Sequence, residues 1–301
     1  MLQELRSKKA TLKLRSKILK EIRSFFEERG FLEVETPFLL PYLIPEAHID
    51  AIKADGGYLH TSPELCMKVL LANGYGNIFQ ICKCFRKGEN GKLHMPEFTM
   101  LEWYHVGIDY SELMNECESL LLFLCKKIFN SDQIVYKGKR IDLSPPWERI
   151  TLEQAFEMYA SVSLREALYK DIFEEIMVNE IEPRLGIKKP VFVKDYPVSM
   201  AALSQIRNGY AERFELYICG IELANGYSEL TDMKEMIKRC EEENKKRKEM
   251  GKDQYPIPKD LLSNIKEIPK CAGIALGIDR LVMIFAQKKD IQQVGCSLDI
   301  C

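Results

Sequence analysis

Two alternating runs, Ile78–Arg86 and Glu97–Tyr104, flank a polar, glycine-bearing loop at Lys87–Leu93. Alternation sends successive side chains to opposite faces of a strand, so this stretch is predicted to form two antiparallel strands joined by a flexible loop. The first run ends in Phe85-Arg86. Far along the chain, Gly273-Ile274-Ala275-Leu276-Gly277-Ile278-Asp279-Arg280-Leu281 again sets an arginine beside residues suited to a close-packed sheet. Gly273 and Gly277 would let a helix or strand pack closely there. A single buried arginine is usually half of an ion pair. Two of them, each on a tightly packed sheet element, suit a shared polyanion.

A third block, Arg213–Leu230, reads as a hairpin turning near Cys219-Gly220, which would bring Glu215 and Glu222 near each other. Residues Leu12 to Arg29 carry Leu14, Ile18, Ile22, Phe25 and Phe26 at helical spacing, with Gly30 as a stop. Phe31 to Pro37 then alternates as a half-buried strand ending at a proline. Thr61-Ser62-Pro63-Glu64 is predicted to open a helix, with Thr61 or Ser62 as N-cap and Pro63 at its first position. Residues 111–210 read as mainly helical, with breaks at Pro145-Pro146 and Gly186–Pro190. Lys234–Lys252 reads as a solvated helix of mixed charge. With neither repeat nor low-complexity linker, one continuous domain over 1–301 is expected, carrying a helical insertion at roughly 111–210.

Composition narrows the function classes. A net charge of −2 gives no general attraction for nucleic acid or anionic membrane. No apolar run is long enough to cross a bilayer, and Met1 to Lys20 is charged throughout, so a cytoplasmic location is expected. The ten cysteines are scattered through apolar contexts without a Cys-x-x-Cys, and are expected to be reduced, structural thiols, not disulfides or zinc ligands.

Joining a carboxylate to an amine requires a leaving group, and attack on the α-phosphate of ATP supplies one as an acyl-adenylate. Such an enzyme needs one cation at the α-phosphate and another on the departing polyphosphate, carboxylates for Mg2+, and an aromatic surface for adenine. Arg86 and Arg280 fit the first need, Glu215 and Glu222 the second, and Phe98 the third. Glu64, Glu102 and Glu229 offer several carboxylates to one small guest, which suits a substrate with two ammonium groups.

At these residues the chain resembles the class II aminoacyl-tRNA synthetases, and within them the lysyl subgroup. The resemblance is strongest at Thr61–Leu70, His94–Tyr104, Glu222–Leu230 and Ala275–Arg280. It implies an α+β catalytic fold with a mainly antiparallel β-sheet flanked by helices, and a homodimer built on the Phe31–Pro37 segment. It further implies that Ser62, Pro63, Glu64, Glu102, Tyr104, Glu229 and Ala275 contact the amino acid. Arg86, Glu89, His94, Phe98, Glu222, Leu223, Asn225, Gly277 and Arg280 are implied for ATP, with Glu215 and Glu222 for Mg2+. About ten residues precede the first catalytic helix, so no anticodon-binding OB-fold is expected. The closer resemblance is therefore to the stand-alone paralogues that attach a lysine-type amino acid to translation elongation factor P, the elongation factor P–(R)-β-lysine ligases. The implied partners are lysine or β-lysine and elongation factor P, with tRNA unlikely on charge. The alternatives are a stripped synthetase acting on tRNA or a free amine, and an inactive regulatory paralogue.

The chain departs from the synthetase pattern in three places. Phe85-Arg86-Lys87-Gly88-Glu89 stands where Phe-Arg-Asn-Glu is usual: either Glu89 takes over through the freedom Gly88 gives the loop, or that contact is lost. Met95 replaces a common Asn. Ala275 replaces a glycine, and its methyl either displaces an α-amino group in favour of a β-amino acid or is an ordinary exchange at a packing position.

Overall fold

A computed structural model describes residues 2–258, 262–263 and 267–295. The first helix, α1 (Leu2–Glu27), starts earlier than its apolar spacing marks, and its Ile18, Ile22, Phe25 and Phe26 are fully buried. Gly30, at φ 76°, sits just beyond its end, a conformation most residues avoid. The strand expected over Phe31–Pro37 is only β1 (Leu32–Glu33), because Pro37 and the solvent-facing edge leave little to pair with.

The remaining strands are β2 (Leu39–Leu40), β3 (Lys53–Ala54), β4 (Gly57–Leu59), β5 (Ile78–Phe85), β6 (Glu97–Val106), β7 (Gln133–Tyr136), β8 (Lys139–Asp142), β9 (Glu148–Thr151), β10 (Val191–Pro197), β11 (Ile206–Arg207), β12 (Tyr210–Ile218), β13 (Ile221–Ser228) and β14 (Cys271–Gly277). The main sheet runs β1-β5-β6-β14-β13-β12-β10-β9, with β11 paired to β12. Only the β1–β5 and β9–β10 pairs are parallel. The expected strand pairs are present: β5 with β6, and β12 with β13 about Cys219 and Gly220, whose φ of 51° and 73° are those of a tight primed turn.

Among the described residues, the α-helices after α1 are α2 (Glu64–Ala72), α3 (Tyr110–Phe129), α4 (Leu152–Tyr159), α5 (Leu164–Tyr169), α6 (Phe173–Ile176), α7 (Met233–Glu249) and α8 (Ile278–Phe285). Phe79, Leu101, Trp103, Leu223, Ile274 and Leu276 point from one sheet face into a core shared with α1 and α3. Burying each such side chain contributes roughly 1.5–3 kcal/mol. The opposite face is polar. Its register aligns Glu102, Ala275, Asn225 and Glu215 in one row across β6, β14, β13 and β12. That row is the floor of the site.

Two expectations need correcting. Residues 111–210 are not a helical insertion: β7 and β8 form a hairpin about Lys137-Gly138, and β9 and β10 extend the main sheet. The short runs Gln133–Tyr136 and Val191-Phe192-Val193 have strand chemistry that a helical background obscured. In addition, neither Thr61 nor Ser62 caps α2. Pro63 is itself the N-cap, with φ −78° and ψ 0°, and no side chain bonds the first turn. The eight described cysteines are free thiols, all buried except the half-buried Cys66.

Candidate active site

A cavity of about 800 Å³ opens on the polar face of the sheet. Ser62, Glu64, Arg86, Glu102, Tyr104, Glu215, Glu222, Asn225, Glu229 and Ala275 all line it, so side chains far apart in the chain share one cavity, while Glu89, His94, Phe98, Gly277 and Arg280 are not among its lining residues. Pro63 is buried beneath the start of α2, and Gly277 caps α8. Leu223 differs from expectation. It is the extra residue of a β-bulge, its side chain lies in the core, and only its backbone could meet a ligand.

At one end the cavity is acidic. Glu102 and Glu229 are buried, and Glu64 stands beside them. Tyr104 donates to Glu102 Oε1 at 2.6 Å, and Tyr227 donates to Glu64 Oε1 at 2.5 Å. Lys68, one helical turn beyond Glu64, places Nζ 2.7 Å from Glu64 and 2.8 Å from Glu229 Oε2. Burial opposes its charge, but Glu229 and Glu64 hold the ammonium above its ordinary pKa. Glu102 Oε2 and Glu229 Oε1 have no hydrogen-bond partner. Burial and then Glu64 push Glu102 well above the carboxylate range. Burial, partly offset by Lys68, pushes Glu229 up to about 7. Both shifts reflect burial that the single ammonium of Lys68 does not offset. Gly273 lies beneath the cluster, where a Cβ would collide with Glu229 and the Tyr104 ring.

Two further arginines were expected at the nucleotide end, of which Arg86 lines the cavity. Arg86 lies beyond the end of β5, its nearest carboxylate is Glu89 at 3.8 Å, and its buried Nε has no acceptor. Glu89 thus reaches the arginine despite its displaced position in the sequence. The Arg86 guanidinium sits 5.0 Å from the Phe98 ring centre, so one face of that ring is taken. Arg280 donates to the Glu222 backbone oxygen at 2.6 Å and to its Oε2 at 3.2 Å. Its other nitrogen lies 2.8 Å from His94 Nε2, which must accept, since an arginine only donates. Burial and then Arg280 lower the His94 pKa, with a smaller lowering from the Arg86 charge. The unsatisfied Arg86 Nε fits an anionic ligand such as a phosphate.

Glu215, expected for Mg2+, is held at both of its oxygens. Arg213 Nη2 holds its Oε1 at 2.5 Å and Tyr217 donates to its Oε2 at 2.7 Å. Glu222 remains accessible, with its side chain 38% exposed. Burial, then Glu222 and Glu215, push Glu182 up to about 7. Glu182 and Glu222 both line the cavity and are carboxylates that could hold a hard divalent cation there.

Lys68, Arg213, Glu182 and Tyr227 escaped the sequence reading. Spacing offered a signal for two of them: Lys68 is four residues past Glu64 on a helix, and Arg213 two before Glu215 on a strand. Glu182 lies far from every motif.

This fold and site define a class. A family model described as tRNA synthetases class II (D, K and N) matches residues 2–296, and the chain belongs to that family. Within it, the chain is similar to proteins named elongation factor P–(R)-beta-lysine ligase. The one from Vibrio atlanticus is 42% identical over 293 aligned positions, covering 91% of this chain and 90% of the relative. That from Pseudoalteromonas translucida is 40% identical over 308, covering 95% and 94%. A protein of Aquifex aeolicus named as a homolog of this ligase is 37% identical over 299, covering 91% and 94%.

Proposed function

We propose that this protein is an ATP-dependent ligase that activates (R)-β-lysine, or a close lysine-type amino acid, as an acyl-adenylate and transfers it to a lysine side chain of translation elongation factor P. One observation carries the reading. Glu64, Glu102 and Glu229 set three carboxylates against the single ammonium of Lys68, so the ionised pocket holds two negative charges in excess. Two ammonium groups on a guest complement that excess. Glu102 Oε2 and Glu229 Oε1, which lack partners, are the acceptors available to them.

The guest's carboxylate would then extend along the sheet floor past Ala275 toward Arg86. Arg86 would hold the α-phosphate, Arg280 and His94 the departing polyphosphate, and Phe98 the adenine. Glu222 and Glu182 would hold Mg2+, which when bound screens polyphosphate charge. A substrate carboxylate oxygen attacks the α-phosphorus and pyrophosphate leaves. The acceptor's ε-amine, having lost its proton, attacks the acyl carbon and AMP leaves. Among the described residues, no helix is long and apolar enough to cross a membrane. A cytoplasmic homodimer is the assembly that accords with this activity, and a net charge of −2 disfavours tRNA as the acceptor.

Purified protein should be given ATP, Mg2+, either lysine isomer, and elongation factor P or tRNA, and the products weighed. Elongation factor P should gain one lysyl mass, more readily with the β-isomer. A charged tRNA instead would overturn the acceptor, and an absence of lysine-dependent pyrophosphate exchange would overturn the enzyme.

A further inference from the structure

We propose that His60, Cys82 and Cys84 form a binding site for a thiophilic divalent cation, Zn2+, beside the floor of the cavity on the same face of the sheet. Cys82 and Cys84 are two apart on β5, so both thiols project from one face, and their sulfurs are 3.9 Å apart. His60 comes from the segment that runs back along the same strand, where its carbonyl accepts from Phe85 N at 3.0 Å. One imidazole nitrogen and the two sulfurs lie within 4.8 Å of one another, the only group of three such ligands found among the described residues.

The geometry suits an ion in several ways. Two sulfurs bound to one tetrahedral Zn2+ at about 2.3 Å stand about 3.8 Å apart, close to the spacing present. His60 Nε2 lies 2.6 Å from the Lys83 carbonyl, which can only accept, so Nε2 carries the hydrogen and Nδ1 carries the lone pair. A backbone carbonyl fixing the second nitrogen in this way is the usual support of a metal-bound histidine. His60 is fully buried and its Nδ1 has no partner. A third soft donor, Met100 Sδ, is 4.0 Å from Cys84 Sγ.

Charge favours the same ion. Binding releases the two thiol protons to solvent and leaves two thiolates and a neutral imidazole around a doubly positive ion, so the complex is neutral overall. Neutrality matters because Cys82, Cys84 and Met100 form a buried apolar cluster with Phe98 and Ala275. The ion would fasten the segment leading to Ser62 and Glu64 onto the strand that leads to Arg86, fixing the amine end of the cavity against the phosphate end.

The test uses the full-length, tag-free protein stripped of metal and titrated with Zn2+ and with Co2+ as a spectroscopic probe. We expect one equivalent bound per chain, a sulfur-to-cobalt charge-transfer band that Zn2+ abolishes, and proton release on binding. Cys84→Ser and His60→Gln should each weaken binding by about tenfold or more, whereas Cys66→Ser should leave it intact. Wild-type protein without the charge-transfer band overturns the site, whatever the variants do. So does a band of undiminished affinity in both Cys84→Ser and His60→Gln.

Discussion

Lys68 decides what the acidic end of the cavity can recognise. Its ammonium compensates Glu64 and one oxygen of Glu229, leaving Glu102 and the other Glu229 oxygen for a guest. Removing it should be costly, because both partners would remain buried without a cation. Lys68→Met is expected to lower stability by about 3–5 kcal/mol, read from denaturant unfolding. A loss near zero would mean that the pair is hydrated and weak. The same cluster predicts a pH dependence. Glu229 has its folded pKa raised from 4.5 to about 7, so near neutrality the empty pocket still holds protons that a bound ammonium must displace. Lysine binding should therefore release protons, and apparent affinity should rise as pH climbs through neutrality. Stability runs the other way: Glu229's contribution is full in acid and is lost as pH rises through about 7. Calorimetry in buffers of different ionisation enthalpy measures the release, and an enthalpy independent of buffer would contradict it. At this scale the sequence marked the carboxylates and both arginines through their motifs. It did not mark Lys68 or Glu182, because a residue's role in countercharge depends on what lies across the cavity, which no local pattern records.

Strand β14 shows how much a single methyl matters on a packed floor. Gly273 faces Tyr104 on one neighbour and Tyr227 on the other, with Glu229 above it. Gly273→Ala would force those side chains aside, an overpacking cost of about 1–3 kcal/mol that falls on the amine site itself. The Michaelis constant for lysine in pyrophosphate exchange should rise more than the melting temperature falls. An unchanged constant would show that the cluster tolerates displacement. Two residues on, Ala275 lies between Glu102 and Asn225 on the same floor. If its methyl excludes an α-amino group, Ala275→Gly should raise α-lysine activation by roughly 1–3 kcal/mol of preference relative to the β-isomer. No gain would reduce Ala275 to a packing exchange. Strands β5, β6 and β13 were legible because each spans eight or more positions, and β13 also follows a primed turn. The four-residue strands β7, β8 and β9 were not, since so short a run has no period to detect and is fixed by its partners.

For the whole molecule, the weakest place is the edge at β1. A two-residue strand ends the sheet there, pairing in parallel with β5, and Leu32 is 48% exposed. Leu39 and Phe38, just beyond it, are 47% and 37% exposed. Sheet edges are normally protected by charge, proline or a covering element, and large apolar side chains do the opposite. A second copy of the chain is the cover that the family resemblance at Phe31–Pro37 implies, and a twofold interface would bury the same residues on both sides. β1 bonds directly to β5, which leads to Arg86, so what happens at this edge bears on where the arginine proposed for the α-phosphate sits. The wild-type protein should sediment at twice its chain mass. Leu32→Glu combined with Leu39→Glu should yield monomers with reduced pyrophosphate exchange, since two carboxylates would be driven together at a desolvated interface. A wild-type monomer with full activity would remove the dimer from this account and leave the exposed edge to be covered by another partner.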